Sequence, residues 1–346
     1  MNIHIINPLS DRRWDHLVAR HPEATVFHQP GWLDALNRTY GYKPLVLTTA
    51  APGQPLTNGV AVCKVSSWMT GTRLVSLPFA DHCQPLLNHP AEALEFAKWM
   101  RAECDRRKWD YVEIRPLLAP GKTDYGLQPE GSYCFHELDL APGTEQLFRQ
   151  LHKNSFQRKI RRAEKERLSY EAGRSEQLLI DFYRLVVTTR RRHQLLPQPF
   201  TWFRNLVKGM GGKVEIRVAR KDGVPIAAML SLRHGASVVY KYGCSDARVH
   251  NLGGMPFLFW KLIEESKASG AHSIDLGRSD FDNEGLIVFK DRLGTAKRRL
   301  TYYRHTYARK EKPATVRKSR GFRDLLFNMP DAVLSMAGGM VYRHLG

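Results

Sequence analysis

Residues 273–294, SIDLGRSDFDNEGLIVFKDRLG, place Arg278, Ser279, Asp280, Asp282 and Glu284 directly after a strand-like run that ends at Gly277. Asp280, Asp282 and Glu284 sit on a loop past the carboxyl end of a strand, where α/β sheets tend to hold their sites, and each can act there as a general base. A surface turn has much the same composition, because Asp, Asn and Gly are ordinary turn residues. A second cluster, TTRRRHQLLPQPF, brings Arg191, Arg192 and His193 to the end of a predicted helix just before Pro197. There they complement the helix dipole, and they also form a set of planar donors suited to phosphate or carboxylate. A third, ARVHNLGGMPF, sets Arg248, Asn251, Gly253 and Gly254 ahead of a helix with Pro256 in its first turn. Backbone N–H groups at such a place can point at a phosphate, although Gly-Gly before a helix also serves as a plain tight connection.

These clusters need elements to position them. SDRRWDHLVARHP and QPGWLDALNRTYG read as amphipathic helices, the first with Ser10 as N-cap. Extended segments follow (PLVLTTA, VAVCKVS, RLVSLPF), then a helix over PAEALEFAKWMRAECDRRKW and a strand over DYVEIRP. The second half repeats the order. SEQLLIDFYRLVVTTRRRH and PFTWFRNLVKG are helical, and KVEIRVARKDGVPIAAMLSLRHG is a hairpin with Val214, Ile216 and Val218 on one face and Asp222-Gly223 at the turn. ASVVYKYGCS is a strand whose alternation puts Tyr240 and Tyr242 on one face; a helix over MPFLFWKLIEESKASG and the strand SIDLG come next. The chain reads as a tandem duplication of one α/β unit.

Composition agrees with two modest cores: the chain has 346 residues, 42% of them hydrophobic. No signal-peptide pattern and no apolar run of membrane-spanning length occurs, which predicts a soluble, cytoplasmic protein. The five cysteines are scattered without a CxxC pair, so neither a disulfide framework nor a zinc site is expected. The net charge of +19 is concentrated. Residues 150–167 hold seven Lys/Arg against two Glu, and residues 297–320 hold ten against one. Such charge suits a polyanionic partner, a nucleotide, tRNA, phosphorylated lipid or anionic membrane face, and it is also the composition of a solvated helix face with a loose tail. In helix 151–167, Phe156, Ile160 and Ala163 form one stripe, which leaves Lys153, Arg158, Arg161, Arg162 and Lys165 facing outward.

Helices, a β-meander and a β-α-β crossover, twice in tandem with a basic helix between, resemble the FemAB-type aminoacyl and acyl transferases, including the BioF2-like acetyltransferases. The resemblance covers roughly residues 10–305 and rests on ATVFHQPGWLDAL, LHKNSFQRKIRRAEKE, TTRRRHQLLPQPF and IDLGRS followed by GLIVFKDRLG, in that order. It implies an α/β (α+β) fold of two tandem GNAT-like domains, each a mixed, mostly antiparallel sheet flanked by helices. Residues 1–140 form the first, a scaffold and acceptor wall without a glycine-rich loop in ADHCQPLLNHPAEAL; residues 141–308 form the second, with the active site; residues 309–346 form a basic linker and amphipathic tail. It further implies that Arg248, Asn251, Gly253 and Gly254 partly match the pyrophosphate loop for acyl-CoA, with Asn251 where glycine is expected. Lys290 lies near the donor's reacting end, and Lys153, Arg158, Arg191, Arg192, His193, Arg278 and Ser279 border the acceptor groove. Tyr242 either protonates a leaving thiolate or fills the core.

The resulting expectation is an enzyme of the GNAT/FemAB N-acyltransferase type. It moves an acyl or aminoacyl group from acyl-CoA or aminoacyl-tRNA, with no tightly bound cofactor, to an amine of a cell-envelope, peptidoglycan or exopolysaccharide precursor. The acceptor is expected to be an anionic, phosphorylated small molecule or a lipid-linked one, with peripheral contact between the basic tail and the inner membrane. A non-catalytic scaffold that holds an anionic lipid carrier or RNA is the alternative. Outright nucleic-acid binding is weaker, because base-stacking aromatics interleave the basic segments only at LTYYRHTY.

Overall fold

The structure, a computed structural model, describes residues 2–117, 124–307 and 329–346. The first half runs β1 (His4–Ile6), α1 (Arg12–Arg20), α2 (Pro30–Tyr40), β2 (Lys43–Thr48), β3 (Val60–Ser67), β4 (Gly71–Val75), α3 (Glu92–Arg107), β5 (Tyr111–Ile114) and β6 (Gln128–Asp139). The second runs α4 (Thr144–Gln150), α5 (Arg158–Lys165), β7 (Ser169–Gly173), α6 (Glu176–Arg192), α7 (Phe200–Met210), β8 (Val214–Lys221), β9 (Val224–His234), β10 (Ser237–Ser245), α8 (Gly254–Ala268), β11 (Ser273–Ser279), α9 (Glu284–Asp291) and β12 (Ala296–Thr306). After the undescribed residues, α10 spans Asp331–Leu345.

Local chemistry explains the element ends. Asp11, not Ser10, caps α1: its carboxylate accepts from the Arg13 amide at 3.1 Å and pairs with the Arg13 guanidinium, while the Ser10 hydroxyl turns back to Asn7. Asp222 and Gly223 both take positive φ, 49° and 78°, which suits the two-residue turn that joins β8 to β9. In α5, Ile160 and Ala163 are buried while Arg158, Arg161, Arg162 and Lys165 face solvent.

The strands form one mostly antiparallel sheet in the order β1-β2-β3-β4-β5-β12-β6-β11-β10-β9-β8-β7. The two halves exchange their last strands: β12 of the second lies between β5 and β6, and β6 of the first pairs with β11. The 140/141 boundary therefore falls in a turn, and the sheet runs unbroken past it. Half of the basic segment 297–320 is structural as well. Residues 296–306 are a central strand that buries Leu300 and Tyr302, and Arg304 pairs with buried Glu113 at 2.6 Å. Residues 309–320, expected as a flexible linker, lie outside the described residues.

Helices α1, α2, α6 and α7 cover one face over a core that includes Trp14, Trp32, Phe182, Trp202 and Phe203. On the other face, the core of α4, α5 and α8 backs the second half and that of α3 backs the first. Equivalent helices α2 and α7 meet at the junction, where Trp32 and Trp202 pack edge to face at 5.2 Å. A Cβ on Gly31 would lie 2.2 Å from the Gly209 carbonyl oxygen, so only glycine permits this approach. Helix α10 docks across both halves: Tyr183 donates to Ser335 (2.8 Å), Tyr42 to the Tyr342 carbonyl (2.5 Å), and Arg73 to the His344 carbonyl (2.8 Å).

Candidate active site

Parallel pairing between β10 and β11 stops early. It runs from Ser237↔Ser273 to Val239↔Asp275, while β10 stays paired with β9 as far as Ser245. Beyond Asp275 the two strands part, and β11 follows β6 instead, through Arg278↔Phe135 and Ser279↔Cys134. A register shift between Tyr240 and Tyr242 puts a bulge at Lys241, and another between Asp275 and Arg278 puts one at Gly277, whose φ is 67°. The corresponding gap in the first half is closed: Ser76 donates its amide to the Glu113 carbonyl and accepts the Arg115 amide on its hydroxyl, and the Cys83 amide reaches the Arg115 carbonyl.

Charged side chains gather where the strands part. Lys241 Nζ is 2.9 Å from Asp81 Oδ2, and His82 Nε2 is 2.7 Å from Asp275 Oδ2. The Gly277 amide donates to Asp275 Oδ1 at 2.6 Å. Lys290 is 3% exposed and donates from Nζ to the Gly277 and Arg278 carbonyls, both at 3.1 Å. Burial pushes the Lys290 ammonium down to about 8, against the pull of Asp81 and Asp275. Burial also works against ionisation of Asp81, but the hydrogen bond and charge of Lys241, together with nearby Arg278 and His82, hold the carboxyl below its ordinary value. The glycine that ends IDLG follows from this arrangement, since a Cβ on Gly277 would lie 2.6 Å from Asp81 Oδ2.

The other sequence-derived candidates fall into three groups. Arg278 lies beside the cluster, its guanidinium 3.8 Å above the Tyr133 ring with one buried nitrogen unpartnered, and the Ser279 hydroxyl is likewise buried and unpartnered among the described residues. Asp280, Asp282 and Glu284 are exposed; Asn283 caps α9 from the same turn, and Glu284 opens the helix, where a carboxylate favours the dipole. The Tyr242 hydroxyl donates to Gln198 Oε1 at 2.7 Å and accepts from Trp202 Nε1 at 2.9 Å, and burial pushes it up. Tyr240 and Tyr242 do not share a face: the bulge at Lys241 resets the alternation, so Tyr240 packs on Phe259 of α8 and Tyr242 on Phe203 of α7.

At the turn before α8, Arg248 pairs with its neighbour Asp246, and Asn251 is exposed. Gly253 has φ 80°, and a Cβ there would lie 2.2 Å from the Lys159 carbonyl oxygen; one on Gly254 would lie 2.9 Å from Ala227 Cβ. Arg192 reaches His250 (3.3 Å) and His193 (3.2 Å), and burial with nearby cations lowers both imidazoles. Arg191 is engaged with the start of α10, through the Met329 carbonyl and Asp331. Lys153 and Arg158 stay exposed at the start of the basic helix.

Asp81, His82, Lys241 and Asp275 are absent from the sequence-derived set. The signal for the first two was present in LPFADHCQP, ionisable residues directly after an apolar strand, which is the same pattern that marked IDLGRSD.

The family model described as the acetyltransferase (GNAT) domain matches residues 150–291. No curated protein matches the chain in sequence. Among solved structures, that of FemX is similar with a TM-score of 0.68 at 14% identity, covering 87% of this chain and 97% of FemX. The C-terminal domain of a lysylphosphatidylglycerol synthetase from Agrobacterium fabrum gives 0.56 at 14% identity, covering 95% of each chain. A tandem GNAT protein from the clavulanic acid biosynthesis pathway gives 0.53 at 11% identity, covering 90% of this chain and 100% of its own. Residues 150–291 thus match the GNAT acetyltransferase domain, and the chain as a whole has the tandem GNAT fold that FemX and the tandem GNAT protein share with it.

Proposed function

We propose that this chain moves an acyl group, acetyl among them, from acyl-CoA to an amine of an anionic cell-envelope, peptidoglycan or exopolysaccharide precursor. The observation that carries this reading is the open split between β10 and β11, with the buried ammonium of Lys290 and the Lys241–Asp81 pair at its root. Beyond Val239 no described strand pairs with the side of β10 that faced β11, and N–H groups on that side would stabilise the oxyanion of a carbonyl under attack. Lys290 adds a cation toward the charge that develops on the donor.

The turn at residues 247–254 would receive the donor's pyrophosphate. Gly254 and Met255 begin α8, and first-turn amides of a helix have no acceptor within it. Arg248, Lys159 and Arg192 supply positive charge around that end. Arg278, Ser279, Lys153, Arg158, Arg192 and His193 are the groups we assign to the anionic acceptor. Exposed Trp68, Met69, Met336 and Met340 would let a lipid-linked acceptor be met at a membrane face.

Two observations favour other readings. The packing of Gly253 on Lys159 and of Gly254 on Ala227 gives both glycines a structural reason, which suits a non-catalytic scaffold for an anionic lipid carrier or RNA. The resemblance of LHKNSFQRKIRRAEKE and GLIVFKDRLG to the FemAB-type enzymes suits aminoacyl-tRNA as donor. Calorimetry with acetyl-CoA and longer acyl-CoAs, on wild type and Asn251→Asp, separates them. Micromolar binding that the added carboxylate abolishes supports the acyl-CoA reading; no binding to any CoA overturns it in favour of tRNA or the scaffold.

A further inference from the structure

Acyl transfer to an amine needs a group that takes the acceptor's proton, and the exposed carboxylates of the β11–α9 turn lie outside the buried cluster. His82 lies within it. Its ring is 1% exposed and sits edge-on between Phe27 and Phe135, with centroid distances of 5.2 and 5.7 Å. Nε2 faces Asp275 Oδ2 at 2.7 Å, and the other oxygen of Asp275 accepts the Gly277 amide at 2.6 Å. A carboxylate fixed in this way holds the imidazole proton on Nε2 and leaves the lone pair on Nδ1. Nδ1 is buried and has no partner among the described residues. A buried ring nitrogen left unpaired costs free energy that an N–H donor from a ligand would recover. Asp275 is also the last residue of β11 paired with β10, so the imidazole is anchored where the split begins.

We propose that His82, carried by the first half, is the general base for the acyl transfer of the second, an inference that rests on the acyltransferase reading above. The acceptor ammonium gives one proton to Nδ1, and the freed lone pair forms the C–N bond to the donor's carbonyl carbon. The C–S bond of the thioester then breaks, and the thiolate takes the second proton shed by the nitrogen; the first leaves Nδ1 to solvent after turnover. Asp275 of β11, Asp81 of its own loop and His28 ahead of α2 act on the ring, and Arg278 of β11, Lys241 of β10 and Lys290 of α9 stand by the Asp81 and Asp275 carboxylates. Asp275 orients the base.

Nitrogen NMR of the full chain with labelled histidine reads the tautomer directly, with His82→Gln assigning the signal. A wild-type Nδ1 that carries no proton, and gains one in Asp275→Asn, is the expected result; a proton on Nδ1 in wild type overturns the proposal. Kinetics with acetyl-CoA and glucosamine 6-phosphate as probe amine supply the second test. His82→Gln keeps a donor toward Asp275 but lacks the basic nitrogen, so turnover should fall on the order of a hundredfold or more, with KM for acetyl-CoA unchanged and the acid limb of the pH profile gone. A wild-type pH profile with only a lowered thermal midpoint would mean that His82 merely pins its loop. Absence of acetyl-CoA binding to wild type by calorimetry would strike the donor reading, while the tautomer still decides the fate of the base.

Discussion

Lys241 Nζ and Asp81 Oδ2 lie 2.9 Å apart although 160 residues separate them in the chain. Lys241 stands on the bulge of β10, and Asp81 on the loop that follows β4 in the other half. One half opens a gap in the sheet, and the other fills the gap's root with charge. Asp81→Ala leaves Lys241, whose side chain is 7% exposed, without its counter-charge. Removing one partner of a buried pair costs about 3–5 kcal/mol, and the 22% exposure of the Asp81 side chain brings the expectation down to about 2 kcal/mol. A double-mutant cycle with Lys241→Met, read by urea unfolding, should show clear coupling. Because the folded carboxyl titrates below its ordinary 3.8, the pair's contribution should be present above that pH and be lost as pH falls below it. Additive effects in the cycle would contradict the pairing.

Gly277→Ala should be more disruptive than an alanine in a strand ordinarily is. The residue sits at φ 67°, and the new methyl carbon would lie 2.6 Å from the Asp81 carboxylate. The left-handed conformation costs about 1–2 kcal/mol for a residue with a Cβ, and relief of the contact moves Asp81 off Lys241. Acyl transfer should fall at least tenfold while the thermal midpoint drops by only a few degrees. Full activity in the variant would show that Asp81 need not hold its place.

The reach of the sequence is uneven for physical reasons. Elements whose pattern is set by their own burial are legible: the stripe of Phe156, in the turn before α5, with Ile160 and Ala163 on α5, the β8 face of Val214, Ile216 and Val218, and the Asp222-Gly223 turn. Strand β12 was hidden because KRRLTYYRHT carries its charges to surface ends and to Arg304, whose partner Glu113 belongs to the other half. A bulge erased the expected common face of Tyr240 and Tyr242, since one extra residue reverses every side chain after it. Lys290 is reached through a family resemblance, whereas no neighbouring residue in the sequence completes the pattern at Asp81 and His82, because their partners Lys241 and Asp275 belong to the other half. A site assembled across an exchange of strands leaves no contiguous motif in either half.

The α2–α7 junction should tolerate no side chain at Gly31. A methyl there meets the Gly209 carbonyl oxygen at 2.2 Å, so the two helices must separate and loosen the Trp32–Trp202 contact beneath them. Overpacking of this kind costs about 1–3 kcal/mol, and partial loss of the aromatic contact adds to it. Gly31→Ala should therefore lower the midpoint of thermal unfolding measurably, by an amount that Gly143→Ala does not match, since nothing lies within 4 Å of a Cβ at Gly143 and its φ is −58°.

Lys290 makes a prediction whose sign is fixed by its burial. Its ammonium titrates near 8 in the folded chain against an ordinary 10.5, so between those values the unfolded chain binds more protons than the folded one. Stability must then rise with pH across that window, by on the order of 3 kcal/mol in total, before other groups intervene. Lys290→Met removes the rise and should be more stable than wild type near neutral pH, where the wild-type protein must hold a desolvated cation on two carbonyls. Urea unfolding at several pH values between 7 and 10.5 measures both slopes. If the two proteins unfold with parallel pH dependence, Lys290 is not the buried titrating group. If the slopes differ as expected and the methionine variant has also lost acyl transfer, the lysine is held at the split at a cost to stability, as a residue kept for chemistry would be.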